Sequence, residues 1–121
     1  EIMYKLQMYD QQFQQLQKQL ESVQQGIIDL NSISEGLKEL KGSCGKELLA
    51  PIGKGIYTKV KLVSEELTVN IGEKKYIKKS IHDTQKIINQ QLSKLNEIEE
   101  QLSTNVNQIR EELSKTLEQA Q

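Results

Sequence analysis

Two long stretches of this chain repeat an apolar residue every three and then every four positions, and that spacing limits the possible folds more than any other feature. The first series runs Ile2, Leu6, Tyr9, Phe13, Leu16, Leu20, Val23, Ile27 and Leu30. With Leu6, Phe13, Leu20 and Ile27 at heptad position a, position d holds Ile2, Tyr9, Leu16, Val23, Leu30 and Leu37, the 3.5-residue repeat of a coiled-coil seam. Gln11, Gln12, Gln14, Gln15, Gln17 and Gln19 fill the outside as good helix formers. After Leu30 the phase is expected to slip, because Ser34 falls at an a position while Ile33 and Leu40 come one place early. Gly42 and Gly45 then end the helix.

The second series opens at Ser80 and Asp83, an S-x-x-D pattern that caps a helix N-terminus. It continues through Ile81, Ile88, Leu92, Leu95, Ile98, Leu102, Val106, Ile109, Leu113, Leu117 and Ala120 without proline or glycine. Gln91, Asn105 and Glu112 are read as polar seam positions that fix register, and the mean spacing near the C-terminal end predicts only slight supercoiling. Each helix of about 40 residues is roughly 60 Å long at 1.5 Å per residue.

Between the helices the period drops to two. Ile56, Thr58, Val60 and Leu62 alternate with Tyr57, Lys59, Lys61 and Val63, and Leu67, Val69 and Ile71 alternate with Thr68 and Asn70. ELLAPI at 47–52 and KKYIKK at 74–79 flank these runs across Gly53, Gly55 and Gly72, so four short strands are expected. Pro51 confines its strand to an edge or an end. The expected fold is mainly α with a small β region: a long antiparallel coiled-coil hairpin, 1–41 and 80–121, whose helices are joined by two β-hairpins within 42–79, all one domain. Two hairpins have little core of their own and need another sheet to cover them. Assembly is therefore expected through Ile52, Ile56, Val60, Leu62, Leu67, Val69 and Ile71.

Composition narrows the function. One Phe, no Trp and 16 Gln do not suit a wide enzyme core, and no apolar run approaches the roughly 18 residues that span a bilayer. The sequence start lacks the features of a secretory signal, which points to a cytoplasmic chain with no membrane partner. A single cysteine, Cys44, forbids an internal disulfide, and one histidine, His82, leaves no Cys/His metal cluster. KGSCGKE fails the phosphate-loop pattern because its first glycine is misplaced and Glu47 follows Lys46. Neighbouring acids such as Glu99/Glu100 and Glu111/Glu112 point in different directions on a helix, so they make poor acid–base pairs. No enzyme activity and no cofactor are expected.

Residues 41–79 carry nine lysines against four acids, whereas both helical stretches are net acidic. Nucleic-acid binding through Lys54, Lys59, Lys61, Lys74, Lys75, Lys78 and Lys79 is the less favoured reading of this charge. Only Tyr57 and Tyr76 offer stacking surfaces there, and solvated strand faces explain the charge more simply. A more informative feature is the apolar stripe at both ends. Ile2, Met3, Leu6 and Met8 are expected beside Leu113, Leu117 and Ala120, a flexible, Met-containing surface suited to loose binding of many sequences.

LLAPIGKGIYTKVKL at 48–62, followed by LTVNIGEKKYIKKSI at 67–81 and set between matched coiled-coil helices, resembles the alpha-type subunits of the prefoldin family, most of all the archaeal form. The most specific parts are Pro51-Ile52-Gly53 with Gly55, the strand Lys59 to Leu62, and Asn70-Ile71-Gly72 leading to Ile77, Lys78 and Lys79. Four strands rather than two favour alpha over beta. The lysines at 78 and 79 depart from the acidic or neutral residues common there. The resemblance implies an ATP-independent chaperone subunit. Two alpha copies would recruit four beta-type subunits, hold unfolded clients at Ile2, Met3, Leu6, Met8, Leu113, Leu117 and Ala120, and pass them to a group II chaperonin. The alternative is a structural coiled-coil spacer or filament subunit that ignores unfolded protein.

Overall fold

The computed structural model describes residues 1–120, in the order α1 (Ile2–Leu40), β1 (Glu47–Gly53), β2 (Ile56–Lys61), β3 (Glu66–Gly72), β4 (Lys75–Ser80) and α2 (Ile81–Ala120). Two long helices thus enclose a small antiparallel β region in the chain order, as the two periodicities predict. The residues form two units. One joins Glu1–Leu30 to the part of α2 from Gln91 onward, and the other is Asn31–Gln90.

In the first unit the helices run antiparallel. The Arg110 guanidinium stands 5.6 Å from the centre of the Phe13 ring, a cation–π contact, while Gly26 approaches Leu95 so closely that a Cβ there would lie 3.4 Å from Leu95 Cδ1. Residue numbers rise along one helix as they fall along the other. Leu6, Tyr9, Phe13, Leu16, Leu20, Val23, Ile27 and Leu30 are all half-buried, so the heptad seam of α1 is realised. Val106 is the deepest residue of this unit at 4% exposure.

The expected phase slip is realised only at the last residue of α1, where Leu40 is half-buried and Lys41, the next a position, is exposed; it is not realised at Ile33. Ser34 is half-buried and Leu37 buried, in phase with the preceding heptads, whereas Ile33 is 50% exposed. Along α2 a continuous stripe of covered positions runs through Ile81, Gln85, Ile88, Leu92, Leu95, Glu99, Leu102, Val106, Ile109, Leu113 and Thr116, alternating steps of four and three, with Thr84, Ile87, Ser103 and Asn105 half-buried beside it. That is a strict 3.5-residue repeat, the repeat of a left-handed supercoil. The polar seam residues are therefore Gln85, Glu99 and Thr116. Gln91 and Glu112 face solvent, and Asn105 is half-buried beside the stripe. Thr116 tolerates burial because its hydroxyl donates to the Glu112 carbonyl at 2.8 Å.

In the second unit, α1 ends at a left-handed Gly42 (φ 77°), and the Ser43 hydroxyl donates to the Glu39 carbonyl at 2.7 Å. At the start of α2, Ser80 Oγ accepts the Asp83 N–H at 3.0 Å, so the predicted cap forms. Leu37, Ile81 and Ile88 make the small buried core of this unit. β1 pairs with β2 and β3 with β4, as two separate two-stranded antiparallel sheets. Each turns through two residues with positive φ, Lys54 and Gly55 or Glu73 and Lys74, as a type I′ hairpin requires.

Candidate functional site

The hairpins carry the most extensive uncovered apolar surface of the second unit. In the first hairpin Leu48 pairs with Val60 and Ala50 with Thr58, so alternation puts Leu48, Ala50, Ile56, Thr58 and Val60 on one face. In the second, Leu67 pairs with Lys79 and Val69 with Ile77, which gathers Leu67, Val69 and Ile77; Ile52 and Ile71 are the unpaired residues at the irregularity before each turn. Ile52, Ile56 and Ile71 are exposed at 69%, 59% and 57%, high values for isoleucine in strands. All seven residues expected to mediate assembly lie on or next to these faces, with Leu62 extending the first hairpin through its bond to the Lys46 carbonyl. Sequence reasoning missed Ile77, 36% exposed on the same face as Val69, because the lysines around it mask the alternation.

The opposite hairpin faces are more polar, although Leu49 is 66% exposed on the first, and on each of them one lysine is answered by a carboxylate. Lys59 Nζ lies 3.9 Å from the Glu47 carboxylate, and Lys78 Nζ lies 3.5 Å from that of Glu66. Tyr57 and Tyr76 share these faces and are about 60% exposed.

The helix-end residues of the first unit divide into two groups. Met3 (76%), Met8 (40%), Ile2 (37%) and Leu117 (51%) are exposed, whereas Leu6 and Leu113 are half-buried in the seam. Leu117 is free to project because Thr116 occupies the seam position beside it. The side chain of Ala120 lies outside the described residues. Tyr4, 65% exposed, joins Met8 and Tyr9 along a shallow groove that sequence reasoning passed over, since it lies off the heptad stripe.

Cys44 and His82 are exposed, and among the described residues no three Cys, His, Asp or Glu side chains stand together as metal ligands. An open hollow beside His82 is lined by Lys41, Ser64, Glu65, Glu66 and Ser80, but its polar groups already hold the chain: Glu65 accepts the Gly42 N–H and Ser80 caps α2. No helix of the described residues is long and apolar enough to cross a membrane.

A family model described as prefoldin subunit matches residues 9–121. This chain belongs to the prefoldin family. Relatives named prefoldin subunit alpha bear out the alpha-type resemblance. That of Methanosphaera stadtmanae is 33% identical over 78 residues, covering 64% of this chain and 56% of the relative. That of Methanobrevibacter smithii is 26% identical over 98 residues, covering 80% and 67%. The chain thus matches roughly half to two-thirds of the length of these prefoldins. Its fold also matches a filamentous PFD from Methanocaldococcus jannaschii solved by cryo-EM, with a TM-score of 0.75 at 19% identity over 94% of this chain and 96% of the other.

Proposed function

We propose that this chain is the alpha-type subunit of a cytoplasmic, ATP-independent chaperone, in which two copies and four beta-type subunits hold unfolded proteins and deliver them to a group II chaperonin. The observation that carries the reading is the prefoldin match over residues 9–121. Two features of the chain support it: hairpin faces whose isoleucines need a covering sheet, and exposed methionines at the helix ends. Family membership does not favour the alternative of a spacer or filament subunit indifferent to clients.

In this reading Met3, Met8 and Leu117, with Ile2 beside them, make the first contact with clients, and Leu6 and Leu113 back them from the seam. Ala120 completes the set by its place at the end of α2. The test is a triple variant, Met3→Ser, Met8→Ser and Leu117→Ser, chosen because none of the three fills the seam. Suppression of aggregation of a chemically denatured client should be lost while the native mass of the assembly stays the same. Undiminished suppression would remove the helix ends from the binding surface.

A further inference from the structure

The second hairpin repeats the first. Glu47 and Glu66 open them, 19 residues apart, and the same offset carries every paired position of one ladder onto the other, including the irregularity before each turn. Leu48, Ile52, Gly53, Tyr57 and Lys59 recur as Leu67, Ile71, Gly72, Tyr76 and Lys78. Even the ion pair is copied, since Lys59 with Glu47 and Lys78 with Glu66 are the same diagonal across two equivalent ladders. Against this shared scaffold, four positions of the apolar face differ, and two of them change character: Ala50 and Thr58 become the more apolar Val69 and Ile77, whereas Ile56 is replaced by Lys75 and Val60 by Lys79.

These two lysines differ from Lys59 and Lys78 in having no counter-charge. Among the described residues neither forms an ion pair within 4.0 Å, and Lys79 is half-buried opposite Leu67. Lys75, Ile77 and Lys79 alternate along β4 on the face that also bears Leu67 and Val69. A sheet that covers this face takes both ammonium groups out of water, which is strongly unfavourable unless carboxylates meet them. Another copy of this chain does not provide them. Its first hairpin presents Leu48, Ala50, Ile56, Thr58 and Val60, without an acid, and its second presents lysine against lysine.

We infer that Lys75 and Lys79 make the second hairpin selective for a different subunit, one whose covering strands carry carboxylates, and exclude self-pairing there. The inference rests on the proposed assembly through the hairpins and takes its occupant to be the beta-type subunit. Attraction supplies half of the discrimination, and the repulsion or uncompensated burial that meets a second copy supplies the rest.

The experiment uses the full chain with co-purified beta-type subunit, read by native mass spectrometry and by the affinity of the mixed complex. Lys75→Glu with Lys79→Glu should weaken capture of beta-type subunit by at least roughly 100-fold, as expected for reversing buried interfacial charges. Self-association of the variant in the absence of beta-type subunit should stay as in the unmodified chain. Lys75→Ile with Lys79→Val gives the second hairpin the chemistry of the first and keeps its strand propensity. It should weaken beta capture and produce homo-oligomers larger than those of the unmodified chain. Beta capture within twofold of the unmodified chain in both variants would overturn the inference while leaving the proposed assembly standing. An unmodified chain that captures no beta-type subunit would overturn both.

Discussion

At Gly72 the backbone holds φ at 109°, a region nearly closed to residues with a Cβ, and the Asn70 side chain accepts the Gly72 N–H at 2.8 Å. A Cβ there would meet nothing within 4 Å, so the whole cost of Gly72→Ala is backbone strain, about 1–3 kcal/mol. Gly36 presents the opposite case. It sits exposed within α1, also with open space around an added Cβ, and its φ is helical. Gly36→Ala should therefore stabilise the chain by about 0.5–1 kcal/mol through helix propensity alone. Urea midpoints at one fixed chain concentration check both, since association itself shifts the midpoint. Equal shifts of the same sign would contradict the distinction between strain and propensity.

At the scale of the element, the helices show what was legible and what was not. Their existence, caps and most seam residues could be read because a period of three and four is a direct imprint of helix geometry on burial. The errors came from following apolar residues when the phase demanded polar ones. Apolarity points to Ile33 and Leu117, whereas Ser34 and Thr116 occupy the seam. A one-residue shift turns a side chain by about 100° around the axis, so a rigid helix keeps its seven-residue phase and accepts a serine or threonine. The hairpins were legible through alternation and glycine turns, yet Ile77 was hidden by its lysine neighbours and the offset repeat by substitutions. The seam also yields a prediction. Glu99 is a half-buried carboxylate at an a-type position of α2, so Glu99→Leu should stabilise the helix pair by about 1 kcal/mol, seen as a higher thermal midpoint. A lower midpoint would mean that Glu99 has a partner that offsets its burial.

At the scale of the whole molecule, the surfaces proposed for clients and for assembly lie on different units, so they can be altered separately. The paired helix ends expose only a few apolar side chains, chiefly Met3, Tyr4, Met8 and Leu117, too little for tight capture by one copy. Joining several such ends in one assembly converts later contacts with the same client into intramolecular ones, and avidity exceeds single-site affinity by about 100-fold or more. Ile56→Ser with Ile71→Ser separates the two contributions. Both side chains are more than half exposed in the single chain, so their loss leaves the fold and the helix ends intact while removing the apolar anchors of both hairpins. Sedimentation velocity should then show monomers with unchanged helical circular dichroism, and suppression of client aggregation should require roughly 100-fold more chain. Monomers that suppress aggregation as well as the assembly would place the holding activity in the single helix pair, and the hairpins would then serve partner choice alone.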